Sequence, residues 1–169
     1  MQLKLSKCYG IKISGFIGFL LFGGLPLCVS ILNAEEVIGK VIKVADGDTL
    51  TILTNSNEQV RVRLASIDAP EKSQDFGSVS RKSLNTMCYG INAKVVVQDT
   101  DKYGRKVGVV SCNGVEANLE QVERGLAWVY THYAKEKKYY DAEARAKSKK
   151  IGIWSRDDLI PAWEFRKNQ

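Results

Sequence analysis

Short runs of β-branched and apolar residues, separated by turn-formers, dominate the middle of the chain. Residues 37–44 and 50–53 are two such runs, with Asp46-Gly47-Asp48 turning between them. Val60-Arg61-Val62-Arg63-Leu64 alternates apolar and charged, so a strand there places its valines on one face and its arginines on the other. Asp68-Ala69-Pro70 breaks that pattern. Residues 78–88 read as a helix closed by Gly90, which suits the left-handed position past a helix end. Residues 94–98 and 106–112 return to strand, and Asn113-Gly114 signals a tight turn. A short helix over 118–124 stops at Gly125, and a longer one over 137–150 ends before Gly152. Five strands with one inserted helix, then two more helices, predict an α+β domain that is mainly β: a five-stranded barrel with three packed helices. The Greek-key barrel called the OB-fold fits this order and often binds oligonucleotides.

The start of the chain has another pattern. Lys4, Lys7 and Lys12 precede an uncharged run over 13–32, and no acidic residue occurs before Glu35. A basic start followed by an apolar stretch reads as a secretory signal peptide over 1–34, which leaves a single domain over 35–169. Cleavage after Ala34 puts the bulky Leu32 three residues from the cut, so a cut after Ser30 stays open. The run is nearly long enough to span a bilayer, and an uncleaved anchor is the alternative. Gly23-Gly24-Leu25-Pro26 would interrupt such a helix and favours cleavage. Leu27 is too bulky to precede a lipid-modified Cys28. The expectation is an exported protein, secreted or periplasmic, with no membrane attachment once the leader is removed.

Losing residues 1–34 removes three lysines and no acids, which leaves 22 basic against 19 acidic residues and lowers the charge from +6 to +3. Such a balance permits a polyanionic substrate without marking a nucleic-acid coat protein. Basic residues crowd the stretch 135–150, but Glu136, Asp141 and Glu143 interleave them, so a solvated helix face is favoured over a phosphate-facing surface. Cys8 and Cys28 leave with the leader. Cys88 and Cys112 remain, and one disulfide is expected in an exported chain, the alternative being two thiols in a small core.

Charged residues gather in three clusters: Asp46-Gly47-Asp48-Thr49, then Arg63 with Asp68-Ala69-Pro70-Glu71, then Asp101-Lys102-Tyr103-Gly104-Arg105. Singly, each has a plain explanation as a hairpin turn, a wet strand face, a capping turn or a charged loop. Together they supply the groups needed to attack a phosphodiester. Carboxylate oxygens bind hard cations. Guanidinium forks hold phosphate oxygens. A further carboxylate can take a proton from water. Competing chemistries lack parts, since His132 is the chain's one histidine and two mature cysteines are too few for a Cys₄ zinc site. His132 sits among Tyr130, Tyr133 and lysines with no nucleophile motif nearby, which leaves no Ser-His-Asp triad.

These clusters, together with Arg63-Leu64, Ile67 before Asp68, Gly125-Leu126-Ala127 and Ile151-Gly152-Ile153-Trp154, resemble the thermonuclease family, whose type member is staphylococcal nuclease. The resemblance runs from about residue 37 to 154. It implies an OB-type barrel with three helices and one Ca²⁺ held by Asp48, Asp68 and the backbone carbonyl of Ala69, where the type member has threonine. It also implies that Glu71 activates the attacking water, that Arg63 and Arg105 hold the phosphate, and that Asp46 supports the metal ligands. Lys102, Tyr103 and Tyr133 match positions near the bound nucleotide. The implied reaction is endonucleolytic cleavage of DNA and RNA to 3′-phosphate products. The chain departs from the pattern in two places. The loop Lys72-Ser73-Gln74-Asp75-Phe76 is shorter than in the type member, and Thr131 replaces one of two tyrosines, with Tyr130 or His132 able to compensate. Trp163-Glu164-Phe165-Arg166 resembles the tail of bacterial relatives and is expected to pack as structure.

Two other classes compete with the enzyme: a non-catalytic OB-fold module that binds nucleic acid or protein, and an interaction protein anchored by its N-terminal segment. The presence of Asp48, Arg63, Asp68, Glu71 and Arg105 together favours the enzyme. DNA and RNA are then the partners, and nothing in the pattern demands a stable protein partner or more than a monomer.

Overall fold

The computed structural model describes residues 35–168, and the expected leader and its cleavage site lie outside them. The elements are β1 (Glu36–Val44), β2 (Thr49–Thr54), β3 (Gln59–Leu64), β4 (Ile67–Asp68), α1 (Gly77–Cys88), β5 (Asn92–Thr100), β6 (Lys106–Cys112), β7 (Val115–Glu116), α2 (Ala117–Glu123), β8 (Trp128–Val129), α3 (Lys137–Ser148) and α4 (Ala162–Phe165). The main sheet runs β3-β2-β1-β5-β6-β7. A parallel pairing of β3 with β6 sets Val62 opposite Lys106 and Leu64 opposite Gly108. That pairing closes β1, β2, β3, β5 and β6 into the five-stranded barrel of the OB-fold. The three expected helices are α1, α2 and α3. The tail adds a fourth, short one, α4.

Alternation explains the closure. Val62 and Leu64 on β3 are fully buried with Val41, Leu50, Ile52, Val95 and Val110, while Arg61 faces outward and Arg63 sits half-buried at the rim. Asn113 and Gly114 both take positive φ (51° and 79°), as a two-residue hairpin turn matching the strand twist requires. Cys88 and Cys112 form the expected disulfide, which ties the end of α1 to the end of β6 with a Cα–Cα distance of 5.4 Å. Along α3 the basic residues are engaged in ion pairs, among them Lys137 with Asp141, Lys147 with Glu143 and Arg145 with Glu123. A second apolar cluster joins Trp128, Ile153 and Ala162 to Phe76, Trp154, Leu159 and Trp163, so the C-terminal tail packs beside the loop that precedes α1.

Candidate active site

Two loops, the end of β3 and one tail residue meet at a rim of the barrel. Asp48 immediately precedes β2 and is 6 % exposed; Asp68 ends β4 and is fully buried. Arg63, near the end of β3, lies between them. Its Nη2 donates to Asp68 Oδ1 at 2.6 Å and stands 3.5 Å from Asp48 Oδ2. Its Nη1 donates to the carbonyls of Leu64 and Ile67, which fixes the guanidinium plane. The Ala69 backbone N–H donates to Asp48 Oδ2 at 2.9 Å, joining the first two sequence clusters directly. Glu71 joins from the next turn through Arg166, whose Nη1 donates to Glu71 Oε1 at 2.6 Å. Arg166 Nη2 also donates to Asp68 Oδ2 at 2.9 Å, and Nη1 reaches Asp68 Oδ1 at 3.3 Å.

The electrostatics follow from burial and crowding. Burial, and then the neighbouring Asp48 charge, push the Asp46 carboxyl up to about 6. Asp68 is also raised, chiefly by burial, against the opposing hydrogen bond from Arg166. Burial alone would weaken the charge of Arg63, but Asp48 and Asp68 more than offset it and hold the guanidinium firmly protonated. An excess of anionic oxygen beside fixed cations is a setting that favours a further positive ion.

The third cluster stands at the start of β6. Arg105 Nε donates to Asp101 Oδ2 at 2.7 Å, and Asp101 Oδ1 accepts the Tyr103 and Arg105 backbone N–H groups. Desolvation works against the Asp101 charge, yet these hydrogen bonds win and hold its carboxyl below the ordinary range. Lys102 and Arg105 both lie over the Tyr103 ring, which is 67 % exposed. Tyr133 is similarly exposed and meets the rings of Tyr130 and His132. Arg105 is linked to the Arg63 cluster through the β3–β6 pairing, where Arg63 faces Val107, rather than by a side-chain bond.

Supporting residues that pattern reading passed over hold the loops in place. Asn118 on α2 donates to the Ala65 and Gly108 carbonyls and accepts the Val110 N–H, stitching β3 to β6 just before the Asp68 loop. Gln121 Nε2 donates to the Gly47 carbonyl at 2.7 Å and to Ser80. Gly47 has no room for a side chain: a Cβ there would stand 1.9 Å from Ser80 Oγ and 2.7 Å from Ala69 Cβ. Glu143 accepts the Val129 N–H, and Val129 pairs with Ile67 in the two-residue ladder that carries Asp68. The only available signal was a polar residue on the inward face of a short helix. The role of Arg166 had no local signal at all.

Asp48 and Asp68 suit a hard cation by their chemistry. Among the described residues no three acidic, histidine or cysteine side chains form a ready cage, so the donor set is two carboxylates, with carbonyl or water oxygens to complete it. A carboxylate offers about four acceptor directions. Asp68 spends three on Arg63 and Arg166, and Asp48 spends two on the Thr49 hydroxyl and the Ala69 N–H. Capacity remains on both, and all of it is oxygen, the preference of Ca²⁺ and Mg²⁺.

A closed OB barrel with paired carboxylates and arginines at its rim defines a class of phosphate-directed sites on a nucleic-acid-binding scaffold. The model of the staphylococcal nuclease homologue family matches residues 61–156. A Haemophilus influenzae protein described as an uncharacterized endonuclease is 39 % identical over 153 residues, covering 89 % of this chain and 86 % of its own. A micrococcal nuclease of Shigella flexneri is 34 % identical over 152 residues, 83 % of this chain and 87 % of its own. The staphylococcal-like nuclease CAN1 of Arabidopsis thaliana is 35 % identical over 123 residues, 70 % of this chain and 38 % of its own. The chain belongs to the staphylococcal nuclease homologue family.

Proposed function

We propose that this nuclease-family protein is an exported, Ca²⁺-dependent endonuclease that hydrolyses DNA and RNA and leaves 3′-phosphates. One observation carries the reading: Arg63 contacts both Asp48 and Asp68, while Glu71 is tied to the same Asp68 through Arg166. Asp48 and Asp68, with the Ala69 carbonyl, would hold the ion, and Asp46 would keep the Asp48 loop in shape through its bond from the Asp48 N–H. The chemistry Ca²⁺ supplies when bound is Lewis-acid polarisation of a phosphoryl oxygen. Glu71 accepts the proton of the attacking water. Arg63 and Arg105 orient on the phosphate and stabilise charge that grows in the transition state, each worth about 3 kcal/mol by comparison with an oxyanion-hole donor. Lys102, Tyr103 and Tyr133 present a cation and exposed rings to the flanking backbone and bases. Export is supported by the leader pattern over 1–34 and by the Cys88–Cys112 disulfide, a bond that persists in oxidising compartments.

The test is cleavage of single-stranded and duplex DNA by the purified domain, with Ca²⁺ and with chelator, beside Glu71→Ser. The expected result is cutting that requires Ca²⁺ and falls by about 100-fold or more in the variant, as loss of a general base does. Intact substrate under every condition, from folded protein, would overturn the nuclease reading and mark a binding barrel instead.

A further inference from the structure

The tail residue Arg166 stands outside the role just proposed for the barrel, yet it makes three hydrogen bonds to the site. It bridges Glu71 Oε1 and both oxygens of Asp68. An isolated surface ion pair contributes little. This one differs because a single planar guanidinium spans two carboxylates, one of them fully buried, and so sets their relative position. Arg166 meets Glu71 through Oε1, so one carboxylate oxygen is clamped and Oε2 stands outside that contact.

The tail is built to deliver this contact. Ala162 is fully buried, and Trp163 lies 6.4 Å from Trp128 and 5.6 Å from Tyr130 between ring centroids. Trp128 itself pairs with Asp68 across the β4–β8 ladder. The loop bearing Glu71 is fastened to the same tail, since Gln74 Nε2 donates to the Ile160 carbonyl at 2.7 Å and Arg156 pairs with Asp75 at 2.6 Å. Gln74 Oε1 in turn accepts the Glu71 N–H. A short loop has few internal contacts with which to hold its carboxylate, and the tail supplies them from outside.

We infer that Arg166 is a positioning residue for the reaction, using the buried Asp68 as its anchor and holding Glu71 in line for proton removal. The inference rests on Glu71 acting as the base. Arg166→Gln is expected to lower kcat by about 100-fold, the scale of a displacement near 1 Å, with substrate KM little changed. Its effect should nearly vanish, to within about twofold, when measured in a Glu71→Gln background, because it acts through that side chain. Arg166→Lys keeps the charge but not the fork, and is expected to recover part of the loss. Calorimetric titration with Ca²⁺ alone gives a readout besides activity, and Arg166→Gln should bind the ion no more tightly than the parent. A loss of equal size in both backgrounds would overturn the positioning role. So would tighter Ca²⁺ binding with a higher rate, which would mark Arg166 as a competitor of the ion. If Glu71→Gln itself retains full activity, the assignment of Glu71 fails first and takes this inference with it.

Discussion

Asp48 serves two masters, and substitutions separate them. Its Oδ2 accepts the Ala69 N–H inside the protein, and its remaining acceptor capacity suits a cation. Asp48→Asn keeps an acceptor oxygen for that N–H but removes the charge, so Ca²⁺ binding and Ca²⁺-dependent cutting are expected to disappear with little change in urea midpoint. Asp48→Ala removes both, and the orphaned buried N–H is expected to cost a further 1–3 kcal/mol or so. Calorimetry and urea unfolding of the two variants check the pair. Equal Ca²⁺ affinity in Asp48→Asn would defeat the ligand assignment.

At the scale of elements, the site depends on short pieces that no periodicity announces. The barrel strands were legible because Val60-Arg61-Val62-Arg63-Leu64 alternates, with Val62 and Leu64 buried, and because the other strands are short β-branched runs with turn residues at their ends. The ladder of Ile67–Asp68 with Trp128–Val129 is two residues long on each side, too short for a pattern, and owes its place to Glu143 and to the Tyr130 N–H on the Ser66 carbonyl. Asn118 and Gln121 were illegible for a different reason. Polar side chains on a helix are solvated by default, and only the fold shows that these two are fully buried and spent on barrel backbone. The carboxylates and Arg63 were legible as residue types beside strand ends, whereas Arg166 lies 95 residues from Glu71 in sequence and reaches it only through tail packing. Asn118→Ala orphans the Val110 N–H and the Ala65 carbonyl together, and is expected to destabilise the protein by about 2–4 kcal/mol, read from urea unfolding. A cost near zero would mean that α2 does not fasten the β3–β6 seam.

For the whole molecule, stability and chemistry are placed at different ends of α1. The helix has 12 residues and so spans about 18 Å. Gly77 begins it beside the Glu71 loop, and Cys88 ends it in the disulfide. Closing a loop with a sequence separation of 24 restricts the unfolded chain and is worth about 3 kcal/mol. Reduction under native conditions is therefore expected to lower the unfolding free energy read from urea titration by that amount, while the cutting rate stays the same for the molecules that remain folded. A large fall in rate without unfolding would show that the bond reaches the site.

The tail has a consequence for proteolysis. The barrel strands end at Cys112, and Arg166 reaches their rim through a tail packed on Trp128. A protease that cut within the exposed stretch 155–158 and released the tail would leave the barrel and its carboxylates in place while removing the clamp on Glu71. Nicking there is expected to slow the reaction long before it unfolds the molecule.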